Sequence, residues 1–449
     1  MLYPYQIEAV ERLTEILGQF PAALDASDTG TGKTYVALTV ATRLGLEPLV
    51  VCPKAARPAW GRVARVLGIA VKDIVNPEYL KTGKTPWVTK TGGKSQFQWQ
   101  LASGSLVIFD ECQMFSAPNS QNCMLMATCK AFGLKVLMLS ATAADSPLKL
   151  RAIGYLLDLH RFRDYWAWCR QHGCRENPWG GLIFPPRQKD ELQKIHRSIF
   201  PIRGHRTRIA HILDFPETQI TAEAYELTEK NTQEINQIYL ELDLKLGVLP
   251  DNASILTQIL RARQRVETLK SPLIAAMARE FVEEGASVVI FVAFRDTILA
   301  LSQLLREVPH GIVQGGQNID DRELQIQRFQ KDEDRILLAT YGAGGVAISL
   351  HDILGAHPRR SILTPTYSAR ELVQALGRIH RAGSLSKSLQ RIVFAAGTIE
   401  QTACEKVIDK FGRIQTINDG DLTPDFILRK NLCKSKSGER SSGSPPSES

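Results

Sequence analysis

The chain has 449 residues, 44% of them hydrophobic and 23% charged, with a formal net charge of +8. This is the composition of an ordinary globular protein, long enough for two or three domains each with its own core. No apolar run approaches the roughly 20 residues of a membrane-spanning helix, so a membrane role is not expected. The basic balance favours a polyanionic partner. The N-terminal Met1-Leu2-Tyr3-Pro4-Tyr5-Gln6 lacks the basic and apolar regions of a signal peptide. Eight cysteines follow no regular framework, which predicts reduced thiols and a cytoplasmic, intracellular location.

In chain order, short β-branched apolar runs recur at residues 22–25, 49–52, 106–110 and 136–140, and again at 288–292, 336–340, 361–364 and 391–396. Each is followed by a loop and a helical stretch. Runs of this kind suit strands buried on both faces of a parallel sheet, built from βαβ units. Residues 1–155 and 270–430 are therefore expected to form two α/β domains. Residues 156–269 read differently. Ile235, Ile238, Leu242 and Leu246 follow helical spacing. Pro250-Asp251-Asn252 is a stop-and-cap signal, and a second helical stretch runs through Leu256, Ile259, Val266 and Leu269. This middle is expected to be a mostly helical bridge. The Ser-, Gly-, Lys- and Pro-rich residues 431–449 are expected to be disordered.

Three motifs carry chemistry. Ser27-Asp28-Thr29-Gly30-Thr31-Gly32-Lys33-Thr34 follows a strand and opens a helical run, as a phosphate-binding P-loop requires. Gly30 and Gly32 let backbone N–H groups face phosphate oxygens, Lys33 reaches the β- and γ-phosphates of ATP, and Thr34 ligates Mg²⁺. Ser27 stands where the usual pattern has glycine. Farther on, an apolar strand delivers Asp110 and Glu111, one carboxylate to hold Mg²⁺ and one to polarise the attacking water. Last comes Gln374-Ala375-Leu376-Gly377-Arg378-Ile379-His380-Arg381. Its arginines, three apart, share one face if the segment is a helix. Such guanidiniums would meet the charge of a transferring γ-phosphate, an effect worth about a thousandfold or more in rate.

These blocks, in this order, resemble the superfamily two helicases over roughly residues 1–405. Tyr3-Pro4-Tyr5-Gln6 resembles the motif that reads adenine, through Gln6. Val51-Cys52-Pro53-Lys54 resembles the motif that contacts the nucleic-acid backbone, through Lys54. Ser140-Ala141-Thr142 resembles the coupling motif. Thr340, with Gly344-Gly345-Val346-Ala347-Ile348-Ser349-Leu350, resembles the fifth motif, which touches backbone and nucleotide. The arginine block, with Gln374, resembles the sixth. The resemblance implies two RecA-like parallel-sheet lobes and an ATPase using Mg²⁺. It assigns Gln6, Thr29, Gly30, Thr31, Gly32, Lys33, Thr34, Gly345 and Gln374 to ATP, and Lys33, Asp110, Glu111, Arg378 and Arg381 to catalysis. Thr34 and Asp110 fall to the metal, Lys54 and Thr340 to nucleic acid.

Within that superfamily the chain is most similar to the Swi/Snf type, on Glu191-Leu192 through Ile202-Arg203, Phe215-Pro216, and Gly397-Thr398-Ile399-Glu400. Duplex DNA is then the favoured partner, with a viral or phage source in view and the motor acting as a monomer directed by a targeting protein. Two departures keep branch-migrating phage-type helicases as an alternative: Ser140-Ala141-Thr142 in place of Gly-Thr-Pro, and Gln113 in place of histidine. An RNA helicase, or a P-loop NTPase that ignores nucleic acid, are the competing functions.

Other residues invite plainer readings. Trp166 and Trp168, beside Phe162 and Tyr165, suit a hydrophobic anchor better than base stacking. Cys169, His172 and Cys174 offer three zinc ligands without a fourth. Arg203, Arg206, Arg208, Arg261, Arg263 and Arg265 are either a phosphate track or solvated faces. His351 and Asp352 read as a structural turn rather than a proton relay.

Overall fold

The computed structural model describes residues 2–400, except 92–95, 178–179, 186–187, 214, 247–251, 345–347, 367, 397 and 399. The expected tail at 431–449, Gly345 and the Pro250-Asp251 stop signal lie outside the described residues.

The strands, in chain order, are Ala22–Asp25 (β1), Glu47–Val51 (β2), Asp73–Val75 (β3), Val88–Lys90 (β4), Phe97–Trp99 (β5), Ser105–Asp110 (β6), Lys135–Leu139 (β7), Arg175–Glu176 (β8), Leu182–Ile183 (β9), Gly204–His205 (β10), Thr218–Tyr225 (β11), Ser287–Val292 (β12), His310–Val313 (β13), Ile336–Thr340 (β14), Arg359–Leu363 (β15) and Ser388–Ala395 (β16). They form two six-stranded sheets, ordered β10-β1-β7-β6-β2-β3 and β11-β16-β15-β12-β14-β13, with every neighbouring pair parallel. β4 with β5 and β8 with β9 make small antiparallel hairpins. The eight apolar runs are all strands, and each sheet is covered on both faces. Along β6, Val107 and Phe109 join one core while Leu106 and Ile108 join the other, which is why the run is apolar without alternation.

The middle of the chain contains the expected helices, Glu229–Leu246 and Asn252–Leu269. They bring Ile235, Ile238 and Val266 together in a small core of their own. Besides the β8–β9 hairpin, the middle supplies one strand to each large sheet, which its helical periodicity conceals. β10 extends the first sheet past β1, and β11 extends the second past β16. β10 is two residues long, too short to show a period of two. The half-buried β11 mixes polar and apolar residues, as an edge strand does.

In both sheets the parallel strands point their C-terminal ends the same way. Ligands of open α/β sheets bind at these ends. In the first sheet they carry the P-loop (after β1), Ser140 (β7), Asp110 (β6) and Lys54 (β2); in the second, Thr340 (β14).

Candidate nucleotide site

The P-loop leaves β1 and turns through Gly30 (φ +89°) and Gly32 (φ +84°), a left-handed backbone that glycine adopts at little cost. Gly32 caps the helix Lys33–Arg43, whose N-terminal N–H groups face the loop. Lys33 Nζ donates to the carbonyls of Ser27 (2.7 Å) and Asp28 (2.8 Å). Burial pulls the Lys33 pKa down, against the carboxylates of Asp25, Glu111, Asp28 and Asp110, which favour its charged form.

Gln6 is buried against this loop. Its Nε2 donates to the Thr31 carbonyl at 2.9 Å, and its Oε1 accepts from the Tyr3 N–H at 3.0 Å. A Cβ on Gly32 would lie 2.3 Å from Gln6 Nε2, so glycine is required there for close approach as well as for φ. The amide keeps one donor and one acceptor position in reserve.

The departure at Ser27 has a structural explanation. Its hydroxyl accepts the Thr207 N–H at 3.0 Å. The segment after β10 runs along the cradle: Asp28 N–H donates to the Thr207 carbonyl (3.0 Å), the Ile209 N–H donates to Asp28 Oδ2 (2.9 Å), and Arg206 pairs with Asp28 Oδ1 (2.9 Å).

Asp110 and Glu111 stand at the C-terminal end of β6. Trp60 Nε1, from the helix Arg57–Leu67, donates to Asp110 Oδ2 at 2.8 Å. Burial first, then the adjacent Glu111, push the Asp110 carboxyl up to about 6, against the Trp60 bond and Lys33. Glu111 has φ +54°, a strained conformation for a side chain of its size and one found disproportionately at functional sites. Its Oε2 accepts from Gln113 Nε2 and, at 2.9 Å, from Gln374 Nε2 of the second half. Gln113 thus binds the carboxylate from the position where the family has histidine.

The arginine block departs from its expected form. The helix Ala369–Leu376 ends before both arginines, with Gly377 as its C-cap. Arg378 and Arg381 therefore arrive through a turn and share no helix face. The physical reason is Gly377. A Cβ there would sit 2.0 Å from Thr29 Oγ1, so the chain meets the P-loop where only backbone fits. Arg378 is buried and donates to the Ile348 carbonyl at 3.2 Å. Arg381 donates to the Gly377 carbonyl (3.0 Å) and Ser349 Oγ (2.8 Å). Its pKa is held below the usual range first by burial and then by Arg378, with Glu111 opposing. A Cβ on Gly30 would lie 2.9 Å from Arg381 Cγ, and the Ala382 N–H reaches the Gly30 carbonyl at 3.4 Å. Cradle, carboxylates and arginines, drawn from both ends of the chain, thus lie within contact or electrostatic reach of one another.

The remaining candidates are placed as follows. Lys54 is exposed, at the start of the turn after β2, and Thr340 is buried at the end of β14. Arg203 pairs with Asp158 at 2.9 Å and stacks on Phe20, so it and Arg206 serve internal contacts. Arg265 pairs with Glu234 at 2.7 Å. Trp168 is buried among Tyr165, His160 and His172. Asp352 Oδ1 accepts from the N–H groups of Leu354 and Gly355, a structural turn. His172 lies 3.3 Å from Glu191. Among the described residues, no group of three or more His, Cys, Asp or Glu is arranged to hold a metal ion, the 169–174 cluster included. Sequence reasoning missed Trp60, and it missed the roles of Arg206 beside Asp28 and of Gly377 against Thr29. Trp60 sits six residues beyond the backbone-contacting motif with nothing to tie it to Asp110.

The sequence matches the helicase conserved C-terminal domain over residues 272–383. It is 31% identical, over 94% of this chain and 84% of the relative, to a protein of Acanthamoeba polyphaga mimivirus named as an ATP-dependent RNA helicase. The chain belongs to the superfamily two helicases. A Sulfolobus solfataricus SWI2/SNF2 ATPase core, solved in complex with dsDNA, aligns over 94% of each chain with 17% identity and a TM-score of 0.39. The helicase is a nucleic-acid-dependent ATPase with nucleic acid as its partner. Among its described residues, no helix is long and apolar enough to cross a membrane.

Proposed function

We propose that the chain is an ATP-dependent helicase or translocase that moves along duplex DNA. The observation that supports this is the join between the two halves: the Gln374–Glu111 bond and the Gly377–Thr29 contact meet beside the phosphate cradle. In this reading residues 1–155 and 270–430 are the moving lobes. The bridge, 156–269, lends one strand to each, with two residues paired to β1 and eight to β16.

Thr29–Thr34 wrap the phosphates, Lys33 exchanges its two carbonyl partners for β- and γ-phosphate oxygens, and Gln6 uses its reserve donor and acceptor on adenine. Gly345 belongs to the nucleotide side by its motif. The Thr34 hydroxyl and the Asp110 carboxylate are hard oxygen donors that fit Mg²⁺, which when bound would neutralise phosphate charge. Asp110 is within electrostatic reach of Lys33, the neighbour of Thr34. Glu111, steered by Gln113 and Gln374, accepts a proton from the attacking water. Arg378 and Arg381 meet the charge that develops on the γ-phosphoryl group. Once it leaves, the arginines lose their counter-charge and the lobes part.

Lys54 and Thr340 lie at the strand ends of the two sheets and would alternate in gripping the backbone. Such a grip ignores base identity and weakens with salt. DNA is favoured by the Swi/Snf-like segments around 191–216 and 397–400; RNA is the second reading, favoured by the name of the mimivirus relative. The deciding experiment is the ATPase rate of the purified monomer with duplex DNA, single-stranded DNA, forks, four-way junctions and RNA. Greatest stimulation by RNA would overturn the DNA assignment, and indifference to every polymer would overturn the motor.

A further inference from the structure

Trp60 lies outside every motif that points to the nucleotide, yet its indole hydrogen-bonds the Asp110 carboxylate, Nε1 to Oδ2 at 2.8 Å. The indole is almost fully buried, at 1% exposure, and Asp110 is half-buried, so the bond is shielded from water on the indole side. A donor on an ionised carboxylate forms a strong bond, and a carboxylate without it is free to rotate about its last torsion. Packing alone would not require an N–H here, since a phenyl ring fills most of the same space. The helix that carries Trp60 begins directly after the Lys54–Ala56 turn, and its Arg62 pairs with Glu323 of the second half at 2.7 Å.

We propose that Trp60 is a positioning residue of the nucleotide site. Its indole N–H fixes the rotation of the Asp110 carboxylate and thereby sets the Mg²⁺ concentration at which nucleotide is held. The proposal rests on the assignment of Asp110 to the metal. It also gives the helix that follows the backbone-contacting turn a direct hydrogen bond to the catalytic centre.

The test needs no turnover. Binding of a fluorescent, non-hydrolysable ATP analogue is titrated with Mg²⁺ in the wild type, in Trp60→Phe and in Asp110→Asn. Asp110→Asn raises the Mg²⁺ midpoint steeply; an unchanged midpoint there overturns the metal assignment itself. Trp60→Phe raises the midpoint about tenfold, the size expected for a lost hydrogen bond to a charged group, and leaves Mg²⁺-free nucleotide binding as it was. A Trp60→Phe protein that is less stable but has the wild-type midpoint makes the indole a packing group and sinks the proposal. Should Trp60→Phe fail to fold, the wild-type chain still decides. With ¹⁵N-labelled tryptophan, one of the six indole N–H resonances moves on Asp110→Asn and again when Mg²⁺ joins the bound analogue. If no resonance responds to both, the proposal is wrong.

Discussion

Lys33 spends its ammonium on two carbonyls of its own loop and has four carboxylates within electrostatic reach, whereas the buried Arg378 and half-buried Arg381 lie beside one another as like charges with Glu111 as a shared counter-charge. The cradle side is thus satisfied by the first lobe together with the bridge segment beside it. The arginine side is held in a state that an anion would relieve. Binding a nucleotide needs only the first kind of preparation. Favouring the transition state over the bound substrate needs the second, because the arginines gain most where phosphoryl charge is greatest.

That contrast breaks most easily on the cradle and its carboxylate. Lys33→Ala and Glu111→Gln are both expected to abolish phosphate release, while Glu111→Gln still binds the fluorescent nucleotide. Substantial turnover by either would remove the pocket from the mechanism. Next in size, Arg381→Ala should lower the rate by about a thousandfold while nucleotide affinity changes far less. A parallel loss of affinity would mean that the arginine side serves binding after all.

The join between the sides is tested by Gly377→Ala, whose methyl would clash with Thr29. We expect about a tenfold fall in rate, the scale of an overpacked contact, and recovery when Thr29→Gly is added. Additive losses in that double-mutant cycle would deny the contact. The smallest effect is on stability. Burial, then Arg381 and Arg359, push the His351 pKa down to about 4, with Asp352 opposing. A histidine depressed in the folded state contributes stability that is intact above 6.5 and is lost as pH falls towards 4. His160, His172, His205 and His380 are depressed as well. His351→Gln should therefore reduce, and not remove, the loss of denaturant resistance between pH 7 and 5. An unchanged pH slope would show that His351 is not depressed in the folded chain.

The same contrast marks what sequence could reveal. The P-loop was legible because its glycines, lysine and following helix are contiguous and obey local rules. The strands behind it were legible because burial on both faces makes them apolar throughout. The arginines were legible as residues, but their helix was not, since Gly377 ends it to meet a threonine almost the whole chain away. Trp60, Arg206 and β10 act through partners 50, 178 and 180 residues distant in the chain, and no period or spacing encodes such a meeting.

β10 has a practical consequence for dissecting the molecule. A fragment ending near residue 155 would strip β1 of its outer neighbour and leave the P-loop strand as an open edge, inviting strand pairing between copies. It would also leave the Asp28 carboxylate without Arg206 and the Ile209 amide. A fragment carried through residue 209 would keep that edge covered. The first lobe is therefore best severed after the bridge has handed back its strand, well beyond the point where the apolar runs of the sequence give out.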